Sequence, residues 1–115
     1  MGVARSRGSA AEDLVAAYLA LIGWAVCGRN VRVAGVEVDL VAQDGRTTVL
    51  VEVKYRTRLD FGGAGAAVDA RKRERLRRAA LATSAGRSEV RIDVVSVEAT
   101  EEGVLLRHHT NAVTA

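Results

Sequence analysis

The chain has 115 residues, 49% of them hydrophobic, which is enough for one modest core and too little for two, so we expect a single domain over residues 1–115. Its formal net charge of +3 is compatible with attraction to polyanions. Its single cysteine, Cys27, excludes an internal disulfide and a zinc site of several thiols; we expect it to be buried and the protein to occupy a reducing cytoplasm.

The first predicted element is a helix from about Ser9 to Ile22, which ends at Gly23. Ser9-Ala10-Ala11-Glu12 is typical of a capping box, in which Glu12 caps the start of its own helix. Alternatively, Glu12 points toward a sheet; the sequence by itself favours the cap. The residues that should pack on the sheet recur at helical spacing: Ala11, Leu14, Val15, Tyr18, Leu21 and Ile22.

A membrane segment is not expected in this region. The uncharged run at residues 14–28 is shorter than the roughly twenty residues that a span requires. Glu12 and Asp13 stand where a signal peptide lacks acids. We therefore expect no membrane partner.

Two alternating, strand-like runs follow a short strand expected at residues 24–29. Residues 36–41 and 49–54 alternate in polarity, and Asp44-Gly45 between them is typical of a two-residue type I′ hairpin. A hairpin of this kind places the two runs side by side in one sheet.

With Asp44-Gly45 as the loop, Leu40 pairs with Val49, and Asp39 lies opposite Leu50 and diagonal to Glu52. Because side chains alternate between the faces of a sheet, this register predicts one valine-rich face and one polar face. The polar face carries Glu37, Asp39, Glu52 and Lys54.

Carboxylates on one face repel each other unless a cation lies between them. Mg²⁺ suits such a pair because it takes oxygen ligands, needs only one or two carboxylates and leaves room for a substrate phosphate. Lys54 can then orient water or stabilise charge on the phosphate. It is one of only two lysines in the chain, and Lys72 is the other. That arrangement describes a phosphodiesterase. An ordinary exposed sheet face with cross-strand Glu/Lys pairs explains the spacing equally well.

Phe61-Gly62-Gly63-Ala64-Gly65 predicts a mobile loop, either a lid or a plain connector, and it lacks the Gly-Lys-Ser/Thr ending of a P-loop. A second helix is predicted from Val68 to about Ser84, with an inward face of Leu76, Ala79, Ala80 and Thr83. The basic run at residues 71–78 is either a solvated face or a contact for a phosphate backbone, and Lys72 borders the inward face.

The C-terminal part predicts two more strands, at residues 90–97 and 103–107. His108 and His109 are adjacent, so they should point apart on the surface and not share a metal. Residues 111–115 should form a loose tail.

These motifs together resemble the YraN-like family, small predicted bacterial endonucleases of the PD-(D/E)XK nuclease superfamily that are distantly similar to archaeal Holliday junction resolvases. The resemblance covers nearly the whole chain. It is carried by ordered motifs that include Glu12-Asp13-Leu14, Gly23-Trp24, Glu37-Val38-Asp39-Leu40, Val51-Glu52-Val53-Lys54-Tyr55-Arg56 and Arg91-Ile92-Asp93.

The resemblance implies roles for particular residues. Asp39 and Glu52 would bind the metal, with the Val53 carbonyl as a further ligand, and Lys54 would be the catalytic lysine. Glu12 would join the site from the first helix, which displaces the capping interpretation. The substrate path for nucleic acid would be lined by Tyr55, Arg56, Arg58, Lys72, Arg71 and Arg75.

We therefore expect an α/β fold with a restriction-endonuclease-like core, a mixed sheet of about five strands flanked by helices. The expected function is Mg²⁺- or Mn²⁺-dependent endonuclease cleavage of DNA phosphodiester bonds at branched or flapped structures, with a homodimer if the substrate has two-fold symmetry. The alternative is a non-catalytic nucleic-acid-binding module or adaptor in DNA processing. A third, weaker reading is an oligomeric scaffold that uses the glycine-rich loop.

Overall fold

The computed structural model describes residues 7–57, 70–84 and 89–114. Two helices and five strands lie in these ranges. They are α1 (Arg7–Leu21), β1 (Ala25–Val33), β2 (Val36–Asp44), β3 (Thr47–Thr57), α2 (Ala70–Ser84), β4 (Glu89–Thr100) and β5 (Gly103–Val113). Arg58, the predicted loop at residues 61–65 and the predicted helix start at Val68 lie outside the described residues.

The strands form one mixed sheet in the order β1-β2-β3-β4-β5. Three neighbouring pairs are antiparallel, whereas β3 and β4 are parallel. The parallel pair needs a crossover connection, and α2 lies within it. This confirms the predicted α/β architecture with a mixed five-stranded sheet, which is compatible with a restriction-endonuclease-like core.

The helices cover opposite faces of the sheet. On the α1 face, Val15 packs in a buried cluster with Val49, Val51 and Val95. On the α2 face, Leu76 packs with Leu50 and other buried residues of β2, β4 and β5. Neighbouring residues of β3 and β4 alternate between the two clusters, so each of these strands is apolar on both faces, as expected for the centre of a covered sheet.

The hairpin between β2 and β3 differs in register from the prediction. Its two loop residues are Gly45 and Arg46, since Asp44 pairs with Thr47, and only Gly45 has a positive φ (61°) in this turn. Glycine at the first loop position suits a type II′ turn, which leaves Asp44 in the strand. Leu40 therefore pairs with Val51 and not with Val49. The shift of two residues moves Asp39 level with Glu52.

The apolar face of α1 is narrower than predicted. Ala11, Val15 and Leu19 are buried, whereas Leu14 is 37% exposed and Leu21 is 85% exposed. The helix also begins at Arg7, so Ser9 is not its N-cap. In contrast, the predicted inward residues of α2 are confirmed for Leu76, Ala79 and Ala80, and Thr83 is half-buried.

Three smaller predictions were wrong. Cys27 is exposed in β1, where alternate residues face solvent. His108 is half-buried in a polar network, whereas its neighbour His109 is exposed as expected. The predicted tail is an extension of β5 through Val113, whose side chain is buried under α2. Neither of the helices in the described ranges is long and apolar enough to cross a membrane.

Candidate functional site

Asp39 lies where β2 and β3 diverge. Their ladder is regular from Asp44 and Thr47 up to Leu40 and Val51. At the next residue, Oδ2 of Asp39 accepts a hydrogen bond of 2.8 Å from the backbone N–H of Val53. The carboxylate thus satisfies a strand donor that would otherwise seek a backbone carbonyl, which fixes the position of the Asp39 side chain.

The packing of β2 also changes at Asp39. Val38 belongs to the cluster under α2, whereas Leu40 belongs to the cluster under α1. Residues two apart in a regular strand share a face, so the strand is strongly twisted at this point. Across the sheet, Asn30 of β1 has a positive φ of 51° at the same level. The distortion opens the sheet around the Asp39 carboxylate.

Glu52 is the second carboxylate at this opening, and its residue is only 5% exposed. Oε2 forms an ion pair of 3.2 Å with Nζ of Lys72 on α2. Oε1 is buried and faces no hydrogen-bond donor in the described part of the chain. Burial and the nearby charge of Asp39 raise the pKa of Glu52 to about 7, and the Lys72 ammonium only partly offsets this shift.

Glu12 approaches the same region from α1. Its Oε1 accepts a hydrogen bond of 3.4 Å from Asn30 Nδ2 and lies 3.9 Å from the Arg29 guanidinium. Burial and the charge of Asp39 raise the pKa of Glu12, whereas Asn30 and Arg29 lower it. The side chain therefore faces the sheet and its acids and does not cap its own helix.

Lys54 is half-buried on β3, on the same side of the strand as Glu52 and roughly 7 Å further along it. Within residues 7–57, 70–84 and 89–114 it forms no hydrogen bond or ion pair. Its ammonium group therefore has no competing protein partner among these residues. That availability suits a lysine that acts on a ligand.

No group of three or more His, Cys, Asp and Glu side chains in the described ranges is arranged to hold a metal ion. The donor set here is instead two carboxylates, Asp39 and Glu52. A divalent ion fits this pair for two reasons: the acids repel each other, and the buried Oε1 of Glu52 has no donor. Mg²⁺ in particular binds through one or two carboxylates with water and phosphate completing its shell.

The described residues that were predicted to line the substrate path lie on different surfaces. Arg56 shares the Glu52 face of β3, and its Nε is buried without a hydrogen-bond partner among the described residues. Tyr55 lies on the other face and packs against the α1 cluster. Arg71 and Arg75 are exposed on α2. The path stays a prediction; Lys72, one of its described members, touches a proposed metal ligand.

Sequence reasoning missed Asn30, which contacts Glu12 and faces Asp39 across β1 and β2. One signal was available, because asparagine is among the few residues that adopt a positive φ readily. An asparagine within an otherwise strand-like run therefore indicates a local distortion.

Comparison with known proteins places the chain in a family. The model of the uncharacterised protein family UPF0102 matches residues 11–97, a range that contains Glu12, Asp39, Glu52, Lys54 and Lys72. The chain belongs to the UPF0102 family. This is the YraN-like family that its motifs resemble.

The relatives carry the same family name and cover different shares of this UPF0102 chain. A UPF0102 protein of Beutenbergia cavernae is 43% identical over 110 residues, 92% of this chain and 93% of that protein. One of Halorhodospira halophila is 45% identical over 98 residues, 84% of this chain and 81% of that protein. One of Dechloromonas aromatica is 49% identical over 71 residues, which span 62% of this chain and 59%, less than two thirds, of that protein.

Proposed function

We propose that this UPF0102 chain is a metal-dependent endonuclease of the PD-(D/E)XK superfamily, which cleaves DNA phosphodiester bonds at branched or flapped structures. The observation that carries the proposal is the carboxylate pair. Asp39 is anchored at a strand divergence, and Glu52 is buried beside it with one oxygen that faces no donor. A buried acid beside a second, half-buried acid that repels it costs stability, so the presence of this pair favours a functional role.

Asp39 and Glu52 would hold Mg²⁺ or Mn²⁺, together with the Val53 carbonyl. The bound ion supplies Lewis-acid chemistry that neutralises charge on the phosphodiester. The Val53 N–H supports this role from outside the pair, because it holds Asp39 Oδ2 in a fixed orientation. Orientation of this kind by a neighbouring hydrogen bond is typical of metal-binding side chains.

The remaining work falls to side chains of the chain itself. Lys54 would orient the attacking water or stabilise negative charge on the phosphate as the bond breaks. Glu12 would contribute a third carboxylate from α1, and Asn30 and Arg29 would position it. Lys72 holds Oε2 of Glu52 and so sets the orientation of that carboxylate.

The test is a cleavage assay on linear, flapped and four-way DNA with Mg²⁺, Mn²⁺ or EDTA. We expect metal-dependent cutting by the wild type, and a loss of about 100-fold or more in Lys54→Ala and Asp39→Asn. Asp44→Asn is the matched control, since it makes the same change at the last residue of β2, and this variant should cut normally. Cutting that survives EDTA or the Lys54→Ala change contradicts the proposal.

The second candidate, a non-catalytic nucleic-acid-binding module, is favoured by the exposed cations of α2. Both candidates predict binding that weakens with salt. Only the nuclease predicts that Asp39→Asn removes cutting while binding persists. Light scattering with and without DNA tests the predicted homodimer in the same experiment.

A further inference from the structure

A basic cleft lies between the β1–β2 hairpin and α2. It has a volume of about 410 Å³. The hairpin and α2 each supply cationic side chains to its wall, and a single carboxylate, Glu37, opposes them. The lining residues are Arg32, Gly35, Val36, Glu37, Lys72, Arg75 and Arg78.

Some arginines elsewhere are ion-paired, whereas within the described ranges the cleft arginines, like the exposed Arg46 and Arg107 outside the cleft, are not. Arg29 pairs with Asp13 at 2.7 Å, and Arg91 pairs with Asp93 at 2.9 Å. Arg32, Arg75 and Arg78 are exposed and make no ion pair or hydrogen bond with another residue of the described ranges. A solvated helix face whose charges alternate in sign is stabilised by salt bridges. Three uncompensated guanidinium groups around one concavity repel each other instead, and a polyanion relieves that repulsion.

The spacing of the cations suits a phosphate backbone. Lys72, Arg75 and Arg78 recur every three residues, so neighbouring members lie close together on the helix surface. From the first to the last, the helix rises roughly 9 Å. Nucleotides of one strand advance about 3.4 Å each along the duplex axis, and their phosphates lie further apart along the strand, so the row spans about two phosphates.

Lys72 connects the cleft to the carboxylate pair. Its residue lines the cleft, and its Nζ lies 3.2 Å from Oε2 of Glu52. A backbone that follows the α2 cations toward Lys72 therefore arrives at the proposed metal site. The opposite wall is supplied by Arg32 from the hairpin whose strand β2 also carries Asp39.

We propose that this cleft binds the phosphodiester backbone of nucleic acid, with Arg32, Arg75 and Arg78 contacting phosphates beside the one to be cut. The proposal rests on the proposed function only in saying which phosphate is cut; the binding itself needs no metal. It adds Arg32 and Arg78 to the nucleic-acid surface. It also makes the hairpin a second wall of that surface.

The experiment measures binding of fluorescently labelled duplex DNA by anisotropy in EDTA, at several salt concentrations. The test variant is the double change Arg32→Gln and Arg78→Gln. The matched control is the double change Arg46→Gln and Arg107→Gln. It removes the same amount of positive charge from two exposed residues outside the cleft. A third variant, Arg32→Lys with Arg78→Lys, keeps the charge, and circular dichroism checks the folding of each.

We expect the test variant to bind at least about tenfold more weakly, and its salt slope to fall by about 2, roughly one per lost phosphate contact. The control should change less than twofold, and the lysine variant should recover most of the affinity. Equal losses in test and control variants, or no binding by the wild type, overturn the proposal. An RNA duplex of the same sequence is also tested. Similar affinity for RNA and DNA indicates that the cleft contacts only the phosphodiester backbone that they share.

Failure of the cleft and failure of the nuclease are distinguishable. If DNA binding depends on Arg32 and Arg78 but no DNA is cut in Mg²⁺ or Mn²⁺, the cleft proposal stands and the endonuclease proposal fails. If DNA is cut in a metal-dependent way and the cleft variant binds DNA as tightly as the wild type, the endonuclease proposal stands and the cleft proposal fails.

Discussion

Two buried acids on the adjacent parallel strands β3 and β4 have opposite surroundings. Asp93 is fully buried and accepts hydrogen bonds from Arg91 Nε, Arg91 Nη2 and the backbone N–H of Asn111, and it bonds His108 Nε2 at 2.8 Å. Burial alone raises the pKa of Asp93, but these bonds outweigh it and hold the pKa below its usual value. Within the described ranges, Glu52 has one cationic partner and an acidic neighbour, and its pKa is raised to about 7.

The contrast distinguishes a structural carboxylate from the two carboxylates that we propose bind a metal ion. The Asp93 network continues through His108, whose Nδ1 bonds the hydroxyl of Tyr18 at 2.7 Å, so it joins β4, β5 and α1. Every group in it has a partner, which is what a stabilising buried network requires. Among the described residues, the Asp39 and Glu52 pair is compensated less completely, since Oε1 of Glu52 has no hydrogen-bond partner. A bound cation would remove the remaining repulsion.

The largest expected effect is on stability at Asp93. Replacement by Ala leaves Arg91 without its main partner and opens a cavity, so the free energy of unfolding should fall by about 3–5 kcal/mol. Urea denaturation measures this. Asp44→Ala removes a 45% exposed carboxylate that lies 4.0 Å from the same arginine, and it should cost less than about 1 kcal/mol. Similar losses in both variants would mean that the Asp93 network stabilises the fold no more than an exposed ion pair does.

The lowered pKa of Asp93 should also make the free energy of unfolding depend on pH. Because the folded pKa of Asp93 lies below its unfolded value of about 3.9, its contribution is complete above that value and disappears as the pH falls through the folded pKa. The stability difference between wild type and Asp93→Asn should therefore shrink below about pH 4. Urea titrations from pH 2 to 6 test this, and a difference that does not vary with pH contradicts it.

A smaller effect of opposite sign is expected at Asp39. Asp39→Asn keeps an oxygen to accept the Val53 N–H, yet it removes the charge that repels Glu52. At pH 8 in EDTA we expect the variant to be more stable than the wild type by about 1 kcal/mol, as is common when a functional charge is neutralised. Thermal unfolding measures the change. A destabilised Asp39→Asn would place this acid with Asp93, among the structural carboxylates.

The core and the sheet were largely predictable from the sequence. The alternating runs at residues 36–41 and 49–54 and the spacing of Leu76, Ala79 and Ala80 are local patterns, and they predicted the correct elements. Local turn chemistry was less decisive. Asp44-Gly45 suits the loop of a type I′ hairpin, whereas Gly45-Arg46 suits that of a type II′ hairpin. The choice between these two loops shifts the strand register by two residues. Since two is the strand period, Glu52 and Lys54 still share a face of β3. The predicted division into a polar face and a valine-rich face was wrong, because Val38 and Leu50 pack under α2 on the face of Glu52.

Long-range polar contacts could not be predicted from local patterns. The bond between His108 and Asp93 links two strands through a register irregularity in β4 and β5. The pair between Lys72 and Glu52 depends on how α2 crosses the sheet. The basic cleft likewise depends on the distance between a hairpin and a helix that are far apart in sequence.

The most direct test is the thermal shift produced by Mn²⁺ at pH 7.5 in wild type, Asp39→Asn, Glu52→Gln and Asp93→Asn. A ligand that binds only the folded state raises its melting temperature. We expect a concentration-dependent rise in the wild type and in Asp93→Asn, and no rise in Asp39→Asn or Glu52→Gln. An equal rise in all four proteins, or none in the wild type, would contradict the claim that Asp39 and Glu52 form a cation site.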